Sequence, residues 1–98
     1  MQKNLEIHRR AKMALDFLSP RQANKVKKTF DWIIEHADNL SKFPGKVLQF
    51  MAKELPNTYM IEATPTLRVI FQHVNGKHII IQDVVHKDLF TLFKKAWT

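Results

Sequence analysis

The sequence predicts an α+β domain in which helices pack on one face of a mainly antiparallel sheet. Apolar residues recur at helical spacing in the first part of the chain, and runs rich in Val, Ile and Phe follow in the second part. A hairpin signal, Asn75-Gly76, separates two of those runs. The expected order is an N-terminal strand, an antiparallel helix hairpin, a three-stranded antiparallel meander and a C-terminal helix.

The first half of the chain predicts one short strand and two helices. The expected elements are a strand over residues 4–8, a helix from residue 10 up to Ser19, and a helix from Pro20 to about residue 37. Ser19 can cap the second helix, because Pro20 suits a first turn and Gln22 lies three positions after the cap. So short a connection between helices predicts that they form an antiparallel hairpin.

The second half predicts strands after an ambiguous segment. Residues 47–55 fit either a short helix or an irregular packing segment. Strand signals then cover residues 58–63, 67–74 and 77–81. Asn75-Gly76 is a two-residue hairpin signal, because a type I′ turn needs positive φ at both central positions. After Val85 the spacing becomes helical again.

Composition favours one globular domain over residues 1–98. A chain of 98 residues with 45% hydrophobic content can bury one core but is too short for two. Cysteine is absent, which excludes disulfides, Cys-ligated zinc and a thiol nucleophile. The N-terminus lacks the apolar segment of a secretory signal, and no apolar run approaches the roughly 20 residues that span a bilayer. We therefore expect a soluble, cytoplasmic protein that does not enter a membrane.

Charge favours an anionic partner. Sixteen Lys and Arg against nine Asp and Glu give a formal net charge of +7, which suits nucleic acid, an anionic membrane surface or an acidic protein. A Gly-rich phosphate loop, a metal-spaced histidine pair and a nucleophile elbow are all missing from the sequence. His73 and His78 face each other across the hairpin turn, but a third and a fourth zinc ligand are not evident. We expect neither a metal nor a cofactor.

Three side chains are candidates for chemistry. Arg68 lies inside an apolar strand, where it is either at an exposed sheet face or aimed at a phosphate. Glu62 would share a sheet face with Arg68 if their strands pair across residues 64–66, and a surface ion pair is the simpler interpretation. Histidine has an ordinary pKa of about 6.5 and can exchange protons near neutral pH. His86 is the best acid or base candidate among the five histidines, although a histidine at a strand end more often has a structural role.

Three stretches carry a resemblance to a known family. The helical stretch is RRAKMALDFLSPRQANKVKKTFDWI, the strand stretch is LPNTYMIE leading into LRVIFQHVNGKHIII, and the chain closes with HKDLF. In this order they resemble the helix pair, the central strands and the final catalytic segment of RelE/ParE superfamily toxins from bacterial toxin–antitoxin modules. The resemblance implies that fold, a cognate acidic antitoxin as partner and, in the RelE-like branch, a metal-independent endoribonuclease that cuts mRNA on the ribosome.

The resemblance also implies roles for individual residues. Arg68 falls on the strand arginine of the family, which resembles a phosphate clamp. His86 and Phe90 match the His-x-x-x-Phe ending of the YafQ-like branch, in which the histidine transfers protons and the aromatic ring lies beside the substrate. Glu62 falls where some members place a lysine and others a nearby carboxylate base. The lysines expected to contact RNA phosphates are Lys46, Lys53, Lys77 and Lys87.

Two alternatives to the nuclease remain at this stage. A ParE-like toxin that poisons DNA gyrase shares the fold and the strand arginine but needs no proton-transfer group, and a third possibility is a toxin that has lost its activity. His86 followed by Phe90 favours the nuclease. Met60 in place of a lysine of RelE, and Thr66-Leu67 in place of the Asp-Trp pair of YafQ-like enzymes, favour the alternatives.

Overall fold

A computed structural model describes residues 4–43, 45, 47–50, 53, 56–74 and 78–88. Within these ranges the chain forms two α-helices, one short 3-10 helix and five strands. In chain order they are β1 (Asn4–Ile7), α1 (Arg9–Asp16), α2 (Pro20–His36), the 3-10 helix (Leu40–Lys42), β2 (Val47–Gln49), β3 (Thr58–Glu62), β4 (Leu67–Val74) and β5 (His78–His86). The predicted mixed α+β class is confirmed.

The five strands form one sheet with the order β1-β5-β4-β3-β2. Strands β2 to β5 pair antiparallel in chain order, and β1 pairs parallel with β5. A parallel pair requires a long crossover, whereas antiparallel neighbours can be joined by short turns. The helices and the other strands lie in the sequence between β1 and β5, which provides that crossover.

Both helices have a polar side chain at the N-cap position. The Ser19 hydroxyl accepts a hydrogen bond from the Gln22 N–H at 3.2 Å, and the Gln22 side-chain oxygen accepts one from the Ser19 N–H at 3.4 Å. The predicted capping box of α2 is therefore confirmed, with Pro20 in its first turn. Helix α1 begins after His8, whose Nδ1 accepts from the Arg10 N–H at 3.1 Å. Both caps satisfy N–H groups that have no partner inside the helix.

The core lies between the helices and one face of the sheet. Along β4, Leu67, Val69 and Phe71 are buried in the same cluster as residues of both helices, while Arg68 and Ile70 between them point to the other face. The buried residues of the helices in this cluster are Ala11, Val26, Phe30 and Ile33. No helix in the described part of the chain is long and apolar enough to cross a membrane.

Residues 47–49 differ from the expected short helix or irregular segment. They form β2, with Val47 opposite Ile61 and Leu48 opposite Met60. The strand has only three residues and its local pattern is too short to identify. Its conformation follows from pairing with β3, a tertiary interaction that single-sequence patterns do not contain.

Strand β5 continues to His86, beyond the predicted end at Ile81. Phe71 pairs with Ile81 and Ile70 pairs with Asp83, so Gln82 is an extra residue and the register shifts there. A bulge of this kind breaks the alternation of side chains, and Val84 and Val85 beyond it are both buried. This broken alternation is why the strand pattern in the sequence ends at Ile81.

Two expected elements lie largely outside the described residues. These are the turn at Asn75-Gly76 and the closing helix, of which only Lys87 and Asp88 are described, as helical. The strands on either side of the turn do pair antiparallel, starting from Val74 opposite His78. The hairpin is thus confirmed as a pairing of strands.

Phe71 provides a test of the core. Its side chain is fully buried and its ring stacks on Tyr59 with centroids 5.5 Å apart. We expect Phe71→Ala to lower the free energy of unfolding by about 3–5 kcal/mol, because it removes buried apolar contacts and leaves a cavity. Urea denaturation followed by circular dichroism measures the change.

Phe17→Ala is the matched control, because the Phe17 side chain is 87% exposed. The same substitution there should change the free energy of unfolding by no more than about 0.5 kcal/mol. Equal losses in the two variants would contradict the assignment of the core.

Candidate functional site

The three candidate side chains lie at one end of the sheet. Glu62 is the last residue of β3, Arg68 is the second residue of β4, and His86 is the last residue of β5. Antiparallel pairing brings these positions together, with Glu62 opposite Arg68 and His86 opposite Leu67. From regular strand spacing, the Cα atoms of Arg68 and His86 lie about 6 Å apart.

The Arg68 guanidinium is held mainly by backbone carbonyl groups. Its Nη1 donates to the carbonyl oxygens of Thr64 at 2.9 Å and Leu67 at 3.1 Å, with Pro65 O at 3.4 Å. Its Nη2 lies 3.5 Å from the Glu62 carboxylate. The Arg68 side chain is only 14% exposed, so these partners compensate for lost hydration of its charge. The expectation that Glu62 and Arg68 share a sheet face is confirmed.

The turn between β3 and β4 connects Arg68 to the region of His86. The Thr64 hydroxyl accepts hydrogen bonds from the backbone N–H of Thr66 at 3.2 Å and of Leu67 at 3.0 Å. The carbonyl of Thr66 in turn accepts from the Lys87 N–H at 2.9 Å. The guanidinium therefore bonds to a turn whose other side holds the backbone directly after His86.

His86 has one ring nitrogen engaged by Asp88. Its Nδ1 accepts from the Asp88 N–H at 3.2 Å and lies 3.4 Å from the Asp88 carboxylate, while half of the His86 side chain is exposed. The backbone bond fits the neutral ring, and the carboxylate fits a ring protonated on Nδ1. Asp88 thus contacts Nδ1 whether or not that nitrogen carries a proton, which leaves Nε2 as the ring nitrogen available to a ligand.

Arg68 and His86 lie on different sides of the sheet end. Side chains alternate along a strand, so Arg68 points away from the face that Leu67 buries against the helices. His86 is opposite Leu67 and follows Val85, which is opposite Arg68. A ligand that contacts both side chains must therefore bind across the rim of the sheet, not on either flat face.

His73 and His78 do not form a shared site. His73 is opposite Ile79 and His78 is opposite Val74, so the two rings project from opposite faces. His73 Nε2 lies 3.8 Å from Asp38, and His78 Nε2 lies 3.0 Å from Glu6. Among the described residues no group of three or more His, Asp and Glu could hold a metal ion.

The other predicted site residues are only partly described. Lys53 and Lys87 are exposed, and the backbone of Lys87 joins the turn network described above. Phe90, Lys46 and Lys77 lie outside the described residues. The sequence predicts the turn over residues 64–66 but not its bonds to the Thr64 hydroxyl, although a threonine at the start of a Thr-Pro-Thr turn is a known signal for such bonds. It also does not predict the contact of Asp88 with His86.

Comparison with known proteins gives a fold but no close relative. A scan against models of protein families gives no match, and no curated protein is similar in sequence. Solved structures do match: the RelE-RelB complex of Pyrococcus horikoshii has 19% identity and a TM-score of 0.70 over 89% of this chain and 97% of that chain. The E. coli DinJ-YafQ complex has 14% identity and a TM-score of 0.71 over 91% and 97%.

A mutant of E. coli RelE in the free state also matches, with 16% identity and a TM-score of 0.68 over 96% of this chain and 93% of that chain. The structural neighbours are thus RelE and YafQ toxins and their toxin–antitoxin complexes. At this level of identity the likeness concerns the fold, and the chain has the fold of RelE-type toxins.

Arg68→Lys tests the turn network. Lysine keeps the charge but cannot present the planar fork of donors that spans several acceptors. We expect the free energy of unfolding to fall by about 1.5–3 kcal/mol, the usual contribution of hydrogen bonds to a charged group. Urea denaturation provides the measurement, and Arg21→Lys on the exposed surface of α2 is the control. An Arg68→Lys variant as stable as Arg21→Lys would contradict this role of the guanidinium.

Proposed function

We propose that this chain is the toxin of a toxin–antitoxin module and cleaves mRNA on the ribosome as an endoribonuclease of the cytoplasm. The observation that carries the proposal is the grouping of a guanidinium, a carboxylate and a half-exposed imidazole at one end of the sheet, in Arg68, Glu62 and His86. The RelE-type fold supports it, because the solved neighbours include RelE and YafQ toxins.

The proposed reaction is attack of a ribose 2′-hydroxyl on the adjacent phosphate, which breaks the bond from phosphorus to the 5′-oxygen. It requires a base for the 2′-hydroxyl, positive charge near the phosphate, and an acid for the departing oxygen. Arg68 supplies the charge. His86 fits the acid, because Asp88 can hold Nδ1–H of the protonated ring while Nε2–H donates outward. Either Glu62 or His86 serves as the base.

A gyrase-poisoning toxin of the ParE type is the second candidate. One observation favours it: Met60, which stands where RelE has a lysine, is buried opposite Ile70 and offers no charge to a phosphate. Such a toxin would use the same fold as a binding surface, without proton transfer. The two candidates therefore differ in whether His86 is required for the toxic effect.

His86→Ala tests the proton-transfer role. Because general acid–base catalysis contributes about 10²–10⁴-fold, we expect cleavage of ribosome-bound mRNA to fall by that factor while the circular dichroism spectrum stays unchanged. His78→Ala is the control, since His78 starts the same strand whose last residue is His86. Cleavage by His86→Ala at the wild-type rate would remove His86 from the mechanism.

Expression in bacteria distinguishes the two functions directly. Mapping of mRNA 5′ ends on ribosomes, in parallel with assays of plasmid supercoiling, reports both activities in the same cells. Cuts in phase with codons support the ribonuclease. Trapped gyrase–DNA complexes with intact mRNA would contradict it and support the ParE-type function.

An acidic antitoxin is the proposed protein partner. Structures similar to this one come from complexes named for toxin and antitoxin together. Phe17, directly after α1, is nearly fully exposed, and Arg9 and Arg10 on α1 are exposed as well. Met13 lies one helical turn before Phe17 on the same side. An apolar patch beside guanidinium groups is complementary to an amphipathic acidic helix.

Phe17→Ser tests this surface in co-expression with the protein encoded by the adjacent reading frame. We expect the variant to remain toxic and to co-purify with that protein more weakly than wild type, because the apolar contact is lost. Phe17→Leu, which retains an apolar side chain, should bind nearly as well as wild type. Equal co-purification of Phe17→Ser and wild type would exclude this surface.

A further inference from the structure

The pairing of Glu62 with Arg68 has a consequence for ligand binding. We propose that the Glu62 carboxylate occupies the anion site of Arg68 in the free protein, so that a phosphate binds there only by displacing it. The identification of this phosphate as part of an RNA rests on the proposed function. The competition between carboxylate and phosphate is independent of that function.

The guanidinium has one fixed side and one exchangeable side. On the fixed side, Nη1 donates to backbone carbonyls of the turn, the shortest contact being 2.9 Å to Thr64. Those acceptors belong to a turn that the Thr64 hydroxyl also braces, so a ligand cannot replace them without unfolding it. On the other side, Nη2 meets only the side chain of Glu62 among the contacts described.

The contact with Glu62 is suited to exchange. The distance of 3.5 Å from Nη2 to the carboxylate exceeds the roughly 2.7–2.9 Å of a strong charge-assisted hydrogen bond. The Glu62 side chain is 29% exposed, so it can turn toward water and regain hydration. Pairs of this kind usually change an equilibrium constant by roughly two- to fivefold, which is little enough for a ligand to overcome.

The carboxylate still has a role in the free protein. Arg68 is mostly buried, and the backbone carbonyls that accept from its Nη1 carry no full negative charge, so a nearby carboxylate stabilises the guanidinium further. Glu62 provides that charge until a phosphate, whose oxygens match the guanidinium fork, takes its place. The chain should therefore bind free RNA weakly. It should bind better to RNA that a larger assembly, such as the ribosome of the proposed function, presents at high effective concentration.

The test measures binding of an RNA that cannot be cleaved. A fluorescein-labelled, fully 2′-O-methylated hexanucleotide is titrated at low salt and followed by fluorescence anisotropy. We expect Glu62→Gln to bind about two- to fivefold more tightly than wild type, because the competing charge is gone. Inorganic phosphate should displace the oligonucleotide from this variant at lower concentrations than from wild type.

Two controls separate competition from a general change in charge. Glu35→Gln removes the same charge from an exposed position on α2 and should leave affinity close to wild type. In an Arg68→Gln background, Glu62→Gln should no longer tighten binding, because the site for which it competes is absent. The proposal would be overturned if Glu62→Gln raised the RNA affinity only as much as Glu35→Gln does. It would also be overturned if Glu62→Gln still raised the affinity in the absence of Arg68.

A measurement on the unmodified chain covers the case in which the variants fold poorly. Inorganic phosphate is titrated into ¹³C-labelled wild-type protein, and the side-chain carboxylate resonance of Glu62 is followed. Displacement predicts a shift of that resonance in parallel with the Arg68 side-chain resonances, whereas movement of Arg68 alone would overturn the proposal. Because no cleavage is measured, loss of the proposed ribonuclease function would leave these outcomes unchanged.

Discussion

The antiparallel register of β3, β4 and β5 is the constraint on which the site depends. It places Glu62 opposite Arg68 and His86 opposite Leu67, which joins three separate parts of the sequence at one sheet end. A slip of one residue would turn Arg68 toward the helices and Leu67 toward the opposite face of the sheet. The buried side chains of β4 oppose such a slip, so the core itself selects the face on which Arg68 lies.

Arg68 connects this architecture to the proposed chemistry. Its Nη1 donates hydrogen bonds to carbonyl groups of the turn after β3. The same turn accepts a hydrogen bond from the backbone N–H next to His86. Changes at Arg68 should therefore affect stability, the position of His86 and anion binding together. Kinetics alone cannot separate these effects, whereas binding of an uncleavable RNA reports the anion site independently of catalysis.

Features of the fold that depend on local chemistry could be predicted from the sequence. The capping box at Ser19 and the strand pairing on either side of Asn75-Gly76 follow from residue types and spacing, and so does the shared face of Glu62 and Arg68. The strand at Val47–Gln49 could not be predicted, since β3 imposes its conformation. The extension of β5 was hidden because the extra residue Gln82 breaks the alternation.

The candidate site likewise combines features that the sequence predicts with features that it does not predict. The sequence indicated the residue types at Arg68 and His86, but not that they project from different sides of the sheet end, which depends on the bulge in β5. It also did not indicate that three backbone carbonyls engage the guanidinium or that Asp88 contacts His86. Such contacts arise from side-chain conformations that a pattern of residue types does not specify.

The most direct test of the proposed site is a map of backbone and side-chain chemical shifts of ¹⁵N-labelled protein during titration with a 2′-O-methylated RNA. The largest changes are expected at Glu62, Arg68 and His86, with the opposite end of the sheet around His78 little affected. Changes confined to the outer surface of α1 and α2, with Glu62 and Arg68 unperturbed, would contradict it.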